Sequence, residues 1–310
     1  CFDLASLTKI LSTTSLMMLA CAAGELSVDE PVQDSLPGFC DAGVTLGHLL
    51  EHAAGLVAWR PFFENLADGA RGTEAGRRAI REMVLAETLQ RPPGQQAEYS
   101  DLGFILLDQI LEKRLGAACD ELFAQRVAQP LGIGDLFFVD LKEPAKAEAA
   151  RRSRTFAATE HCPWRRRTLV GEVHDDNTWA MGGVSGHAGI FGTAVGVAGL
   201  ARAWMDAWCC RESLFDPATL RMFWTPSTVP GSGRAKGFDK PHAQASQAGR
   251  HMGPATVGHL GFTGCSLWLD PEVELSVVLL SNRVHPSREN ESIKSFRPVL
   301  HDRVMEACAR

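Results

Sequence analysis

Phe2-Asp3-Leu4-Ala5-Ser6-Leu7-Thr8-Lys9 is the stretch on which the fold turns. It opens a segment, residues 6–23, whose apolar members Leu7, Ile10, Leu11, Met17 and Met18 suit a helix with Ser6 in or near its first turn. Positions i and i+3 share a helix face, so Ser6 and Lys9 lie one turn apart on the same side. A lysine so placed accepts the serine proton when a low-dielectric or electropositive setting lowers its pKa. The helix N-terminus also favours developing negative charge. Alone the pattern is weak, because a capping serine followed by a surface lysine reads the same way.

Two more clusters carry chemistry. Pro92-Pro93-Gly94 stops a helical stretch over 73–89 and is followed by Glu98-Tyr99-Ser100-Asp101. The phenol of Tyr99 both gives and accepts a proton, so beside a lysine it can relay one. His259-Leu260-Gly261-Phe262-Thr263-Gly264 opens a strand-like run, His259 to Leu269. A second run follows, Val273 to Leu280, and Asp270-Pro271-Glu272 between them signals an antiparallel hairpin. His259 and Gly261 share one face of that strand, and the missing side chain at Gly261 is expected to let a substrate carbonyl approach the strand edge.

Between these clusters the first 130 residues are mostly helical. Thr45 caps a helix that ends near Gly55, Leu102 to Leu115 is strongly apolar, and 118–129 ends at Gln129-Pro130-Leu131-Gly132. Residues 141–180 mix charge, tryptophan and loop signals. Gly182-Gly183-Val184-Ser185-Gly186-His187-Ala188-Gly189 suits tight turns and close backbone approach. Leu200, Trp204 and Trp208 mark a helix over 193–210, 226–257 reads as a long loop or ragged strands, and a last helix runs from about Ser295 to Ala309 with Phe296, Leu300, Val304 and Met305 toward a core.

Composition bounds the rest. The chain has 310 residues, is 45% hydrophobic and carries a net charge of −6, which excludes a disordered chain and argues against a nucleic-acid binder. No apolar stretch reaches the roughly 20 residues that span a bilayer; Ser12, Thr13, Thr14 and Ser15 interrupt the best candidate. Nine cysteines in no regular spacing read as free thiols, which leans cytoplasmic without settling localisation.

Taken together and in order, the three clusters resemble those of the serine beta-lactamase and penicillin-binding-protein superfamily. The class C beta-lactamase-like and esterase-like branch is closer, with a middle Tyr-x-Asn and often a final His-x-Gly. His48-Leu49-Leu50 with His52-Ala53-Ala54-Gly55-Leu56, Pro93-Gly94 through Tyr99-Ser100-Asp101-Leu102-Gly103-Phe104, and Pro130-Leu131-Gly132-Ile133 are similar to further stretches of that branch. The resemblance covers most of the chain. It implies an α+β fold, an antiparallel sheet flanked by helices in one catalytic domain over 1–310. Residues of about 25–180 would form a mostly helical subdomain, and 1–24 with 181–310 an α/β subdomain. It also implies a helix and first strands before Ser6, which the numbering would then lack.

The resemblance further implies Ser6 as acylated nucleophile, with Lys9 and Tyr99 sharing its activation. The backbone N–H groups of Ser6 and Phe262 would form an oxyanion hole, and His259 and Gly261 would line the pocket edge. Two departures matter. Asp101 replaces an asparagine, and a carboxylate beside Lys9 favours the charged lysine and weakens it as a base. His259 replaces a lysine, and a neutral imidazole is a poorer anchor for a carboxylate. Carboxylesterase or amidase-type acyl transfer on a small ester, amide or peptide is therefore expected. Beta-lactam hydrolysis, D-amino-acid-specific carboxypeptidase activity and a catalytically silent binding protein are the alternatives. His161, Cys162, His174, Asp175, Asp176 and His187 fit no metal signature; no metal or other cofactor is expected, and Trp164, Trp179 and His187 are read as pocket or supporting residues.

Overall fold

Apolar and polar residues alike are buried along the helix that follows Ser6. Leu7, Ile10, Leu11, Leu16 and Met17 are fully inaccessible, and so are Thr8, Lys9, Ser12, Thr13, Thr14 and Ser15. A helix buried all round lies at the centre of a fold, and its hydroxyls then need partners. Thr13 donates to the Gly186 carbonyl at 2.7 Å, Ser15 to the Ile10 carbonyl at 3.1 Å, and Thr8 accepts from the Ile190 amide at 3.1 Å. The computed structural model describes residues 1–242 and 246–308. In it the helix begins at Leu7, widens into a π-helical segment over Lys9–Thr14 and continues as α-helix over Ser15–Ala22. Ser6 thus sits in the turn just before the helix.

Other helices pack against this rod and against one another. Leu46–Leu50 carries a capping box between Thr45 and His48. Glu74–Leu85 is capped by Thr73, and Asp101–Leu115 ends on Gly116, whose φ of 76° is a left-handed cap that glycine adopts without strain. The strands form antiparallel sheets. Phe2–Asp3 pairs with Ile190–Gly192, which pairs on its far edge with Leu136–Phe138. A second sheet has the order Val257–Leu260, Ser266–Asp270, Leu275–Leu279. Ala194–Trp208 packs against that sheet, with Trp204 fully buried. The fold is mixed α and β, its antiparallel sheets flanked by helices. Among the described residues no helix is long and apolar enough to cross a membrane.

Two local expectations are corrected. The single strand over His259–Leu269 is two strands, broken by a turn in which the Gly264 amide bonds the Gly261 carbonyl and Gly264 adopts φ 116°. The last helix spans Ile293–Cys308; Val304 and Met305 pack against a core cluster as expected, but Phe296 faces outward at 51% exposure, and the buried residues of the helix are Arg297, His301 and Asp302. Its expected end at Ala309 lies outside the described residues. The segment 226–256 is the long loop, one of its two expected readings; its described residues carry isolated bridges, Arg234 to Asp239 and Asp239 to Gly258 of the following strand.

Candidate active site

Ser6 reaches its position through a strained residue. Ala5 has φ 47°, a left-handed conformation that costs an L-residue roughly 1–2 kcal/mol. The Asp3 carboxylate braces it, accepting from the Ala5 amide at 2.8 Å and from the His174 amide at 2.6 Å. Ser6 Oγ then accepts two hydrogen bonds, from Lys9 Nζ at 3.0 Å and from the Tyr99 hydroxyl at 2.8 Å. The three residues read from distant points of the sequence are therefore one hydrogen-bonded group.

Lys9 is fully buried and places all three of its protons. Besides Ser6 it donates to Asp101 Oδ1 at 2.7 Å and to the His187 carbonyl at 3.1 Å. Burial alone would lower its pKa, but the Asp101 carboxylate and then the Tyr99 phenol outweigh burial and raise it. Burial likewise raises Tyr99, against the pull of Lys9. Both groups carry their protons at neutral pH.

Tyr99 is held by the loop and helix around it. The His52 ring lies 4.6 Å from the Tyr99 ring, and its Nδ1 accepts the Ser100 amide at 3.0 Å. Burial keeps His52 neutral, and the nearby Arg234 and Lys9 charges add to this, so Nδ1 is free to accept. Asp101 begins the Asp101–Leu115 helix, where a carboxylate is favoured by the helix dipole.

His187 stands behind Lys9. Its Nε2 lies 3.0 Å from Asp175 and 3.1 Å from Thr178 Oγ1, and its Nδ1 lies 2.9 Å from Ser185 Oγ. Burial opposes the Asp175 charge, yet His187 and the Thr178 amide hold that carboxyl well below the usual range. The glycine-rich run has a concrete cause at Gly186: an added Cβ would lie 2.4 Å from the Phe104 carbonyl and 2.9 Å from Thr13 Oγ1. Asp101, Asp175 and His187 bring ligand-type atoms within 4.8 Å of one another, but Lys9 already occupies Asp101, and protein groups engage both His187 nitrogens.

The group opens on a cavity of about 630 Å³, lined among others by Ser6, Tyr99, Asp101, Asp175, His187 and His259. Burial pushes the His259 imidazole down to about 4, and Lys9 and Arg234 assist. Its Nδ1 lies 2.8 Å from the Leu260 carbonyl. Among the described residues, the amides of Ser6 and Phe262 donate to no acceptor in the chain. Gly261 lines the cavity beside His259, as expected, but its missing side chain makes room for the chain itself: an added Cβ would lie 2.7 Å from the Leu4 carbonyl. Of the two places expected for Trp164 and Trp179, pocket or support, the structure gives the second: they do not line the cavity and stack edge-to-face behind it, with Trp164 Nε1 donating to Asp176 at 3.0 Å. Trp59 and Arg234, both lining the cavity, lie in stretches without periodicity and carried no sequence signal.

Comparison with known proteins bears on the family and the fold. The family model described as Beta-lactamase matches residues 1–297. The chain is 29% identical over 301 residues to an Escherichia coli K12 protein described as "Putative D-alanyl-D-alanine carboxypeptidase", covering 92% of this chain and 69% of that one. It is 30% identical over 308 residues to the N-acetylmuramyl-L-alanine amidase of Bacillus subtilis 168, covering 92% and 68%. In three dimensions it is similar to the penicillin binding protein from Bacillus halodurans, with a TM-score of 0.70 at 19% identity over 96% of this chain and 86% of that one.

Proposed function

This chain belongs to the beta-lactamase family, and on that premise we propose that it is a serine hydrolase that cleaves amide bonds in peptides containing D-amino acids through an acyl-enzyme on Ser6. The observation that carries the chemistry is the pair of donors on Ser6 Oγ, one from Lys9 and one from Tyr99, at the wall of an open cavity. Ser6 Oγ attacks the substrate carbonyl carbon when the Lys9–Tyr99 pair has lost one proton and takes up the serine proton. The amides of Ser6 and Phe262 receive the oxyanion. The pair then returns the proton to the leaving nitrogen, the C–N bond breaks, and water hydrolyses the ester on Ser6.

The substrate class rests on the relatives. The Escherichia coli and Bacillus subtilis proteins are described as a carboxypeptidase and an amidase, which favours amide cleavage over the carboxylesterase activity expected from the residues alone. Ester cleavage is the second activity to weigh, because the buried, neutral His259 offers no charge to a substrate carboxylate.

Incubation with N-acetyl-D-alanyl-D-alanine, followed by chromatography of released D-alanine, tests the proposal. Release by the wild-type protein and its loss in Ser6→Ala is the expected result. Unchanged release by Ser6→Ala would overturn the assignment of the nucleophile. Hydrolysis confined to p-nitrophenyl acetate would overturn the substrate class.

A further inference from the structure

One residue touches both halves of the proposed oxyanion hole. His174 is buried, and its main chain stands on the Ser6 side. Its amide donates to Asp3 Oδ2 at 2.6 Å, and Asp3 Oδ1 accepts from the amide of Ala5, the residue before Ser6. Its imidazole stands on the other side, stacked on the Phe262 ring with 5.7 Å between centres and 25° between planes. Phe262 is half-exposed at the cavity wall, so core packing does not fix it. The place of its amide depends on the few groups that touch the residue.

The imidazole is held from behind. Its Nε2 lies 3.0 Å from Glu160 Oε2, and Arg288 grips both oxygens of that buried carboxylate at 2.8, 2.9 and 2.6 Å. Burial alone would raise the Glu160 carboxyl, but His174 and Arg288 hold it down to about 2, so it stays an anionic anchor at neutral pH. Arg165 fixes the main chain at the same point, donating to the Val173 and His174 carbonyls at 2.7 and 2.8 Å. Arg283 closes the clamp on Phe262. Its Nε donates to the Phe262 carbonyl at 2.8 Å, its guanidinium carbon lies 4.3 Å from the ring centre, and its Nη1 donates to the Arg288 and Asn290 carbonyls. Glu160 and Phe262 are thereby fastened to one segment, 288–290. The proposed mechanism gives none of these groups a proton to carry.

We infer that His174, oriented by Glu160, is the positioning residue that sets the spacing of the two oxyanion donors, the amides of Ser6 and Phe262. It acts through its neighbours: the main chain steadies the Ser6 turn through Asp3, and the ring steadies Phe262. Such donors are worth most where charge has developed on the substrate oxygen, so a small change in their spacing is felt in the tetrahedral state. The inference rests on the acyl-enzyme reading of Ser6 and holds equally for an amide or an ester substrate.

The test measures the pH profile of kcat/KM for p-nitrophenyl acetate and the inhibition constant of phenylboronic acid, which adds to a serine as a tetrahedral adduct. Wild type, His174→Ala, His174→Phe and Glu160→Gln are compared, each checked for folding by its thermal melt. His174→Ala should lower kcat/KM by about 10- to 100-fold, less than the outright loss of an oxyanion donor, and weaken the boronic acid by a like factor. Glu160→Gln, which keeps the volume, should lower both by less. His174→Phe, which keeps a ring on Phe262, should recover most of the loss. The acid limb of the profile should stay in place throughout. A limb that moves in His174→Phe would overturn the inference in favour of a His174 that carries a proton itself. A fall in kcat/KM with boronic acid inhibition unchanged would overturn it as well, because the adduct reads the hole. If His174→Ala fails to fold, Glu160→Gln decides by the same two measurements, and a variant unchanged in both overturns the inference while leaving the acyl-enzyme reading standing. Ester turnover that survives Ser6→Ala would remove both.

Discussion

Lys9 spends every proton it has on Ser6, Asp101 and the His187 carbonyl, and the balance among these sets when the serine can be activated. Burial lowers the lysine pKa, Asp101 raises it, and in this chain Asp101 prevails. In Asp101→Asn that Coulomb attraction is gone and burial dominates, so the Lys9–Tyr99 pair gives up a proton at lower pH. The acid limb of the kcat/KM profile is predicted to move down by about 1–3 pH units, the range for losing an opposite charge at contact distance. A limb that stays in place would show that Lys9 takes no part in the ionisation. At this scale the sequence was informative: Ser6, Lys9, Tyr99 and the consequence of Asp101 were all legible from residue type and motif order. Arg234 was not, because a lone arginine in a stretch of glycine, proline and serine has no pattern to set it apart, and only the fold carries it to Tyr99.

Among the elements, the turn after Val257–Leu260 and the strand before Ser6 act as one unit. The Leu4 carbonyl lies where a side chain at position 261 would be, the Thr263 hydroxyl donates to the Asp3 carbonyl at 2.7 Å, and Ala5 is held left-handed between them. Gly261→Ala forces these strands apart. It is predicted to destabilise the protein by about 1–3 kcal/mol, as overpacking does, and to lower kcat/KM by displacing Ser6 from the Phe262 amide. Urea unfolding and ester hydrolysis measured together check this, and an alanine variant unchanged in both would refute the coupling. The hairpin at Asp270-Pro271-Glu272 was visible because alternation and turn residues agree locally. The break after Leu260 was not, because Gly261 and Gly264 answer to neighbours far away in sequence. Phe296 misled for a related reason: helical spacing named a face that holds for Val304 and Met305, but at the start of the helix Arg297, with His301 and Asp302 after it, takes the inward side.

At the scale of the whole molecule, residues from positions 6, 9, 99, 101, 187 and 259 meet around a central buried helix and one cavity. The motif order led to the expectation of that convergence, and the family match over residues 1–297 shows the family. The polar run Ser12–Ser15 looked like an interruption of an apolar helix; it is buried, and contacts such as Thr13 to the Gly186 carbonyl tie the helix to the glycine-rich segment. The account stands or falls on a covalent bond at Ser6. Intact-mass spectrometry after exposure to a fluorophosphonate, with peptide mapping and Ser6→Ala alongside, measures it directly. A single adduct mapped to Ser6 and absent from Ser6→Ala is the predicted result. An adduct that persists in folded Ser6→Ala, or no adduct in wild-type protein that turns over its substrate, would contradict it.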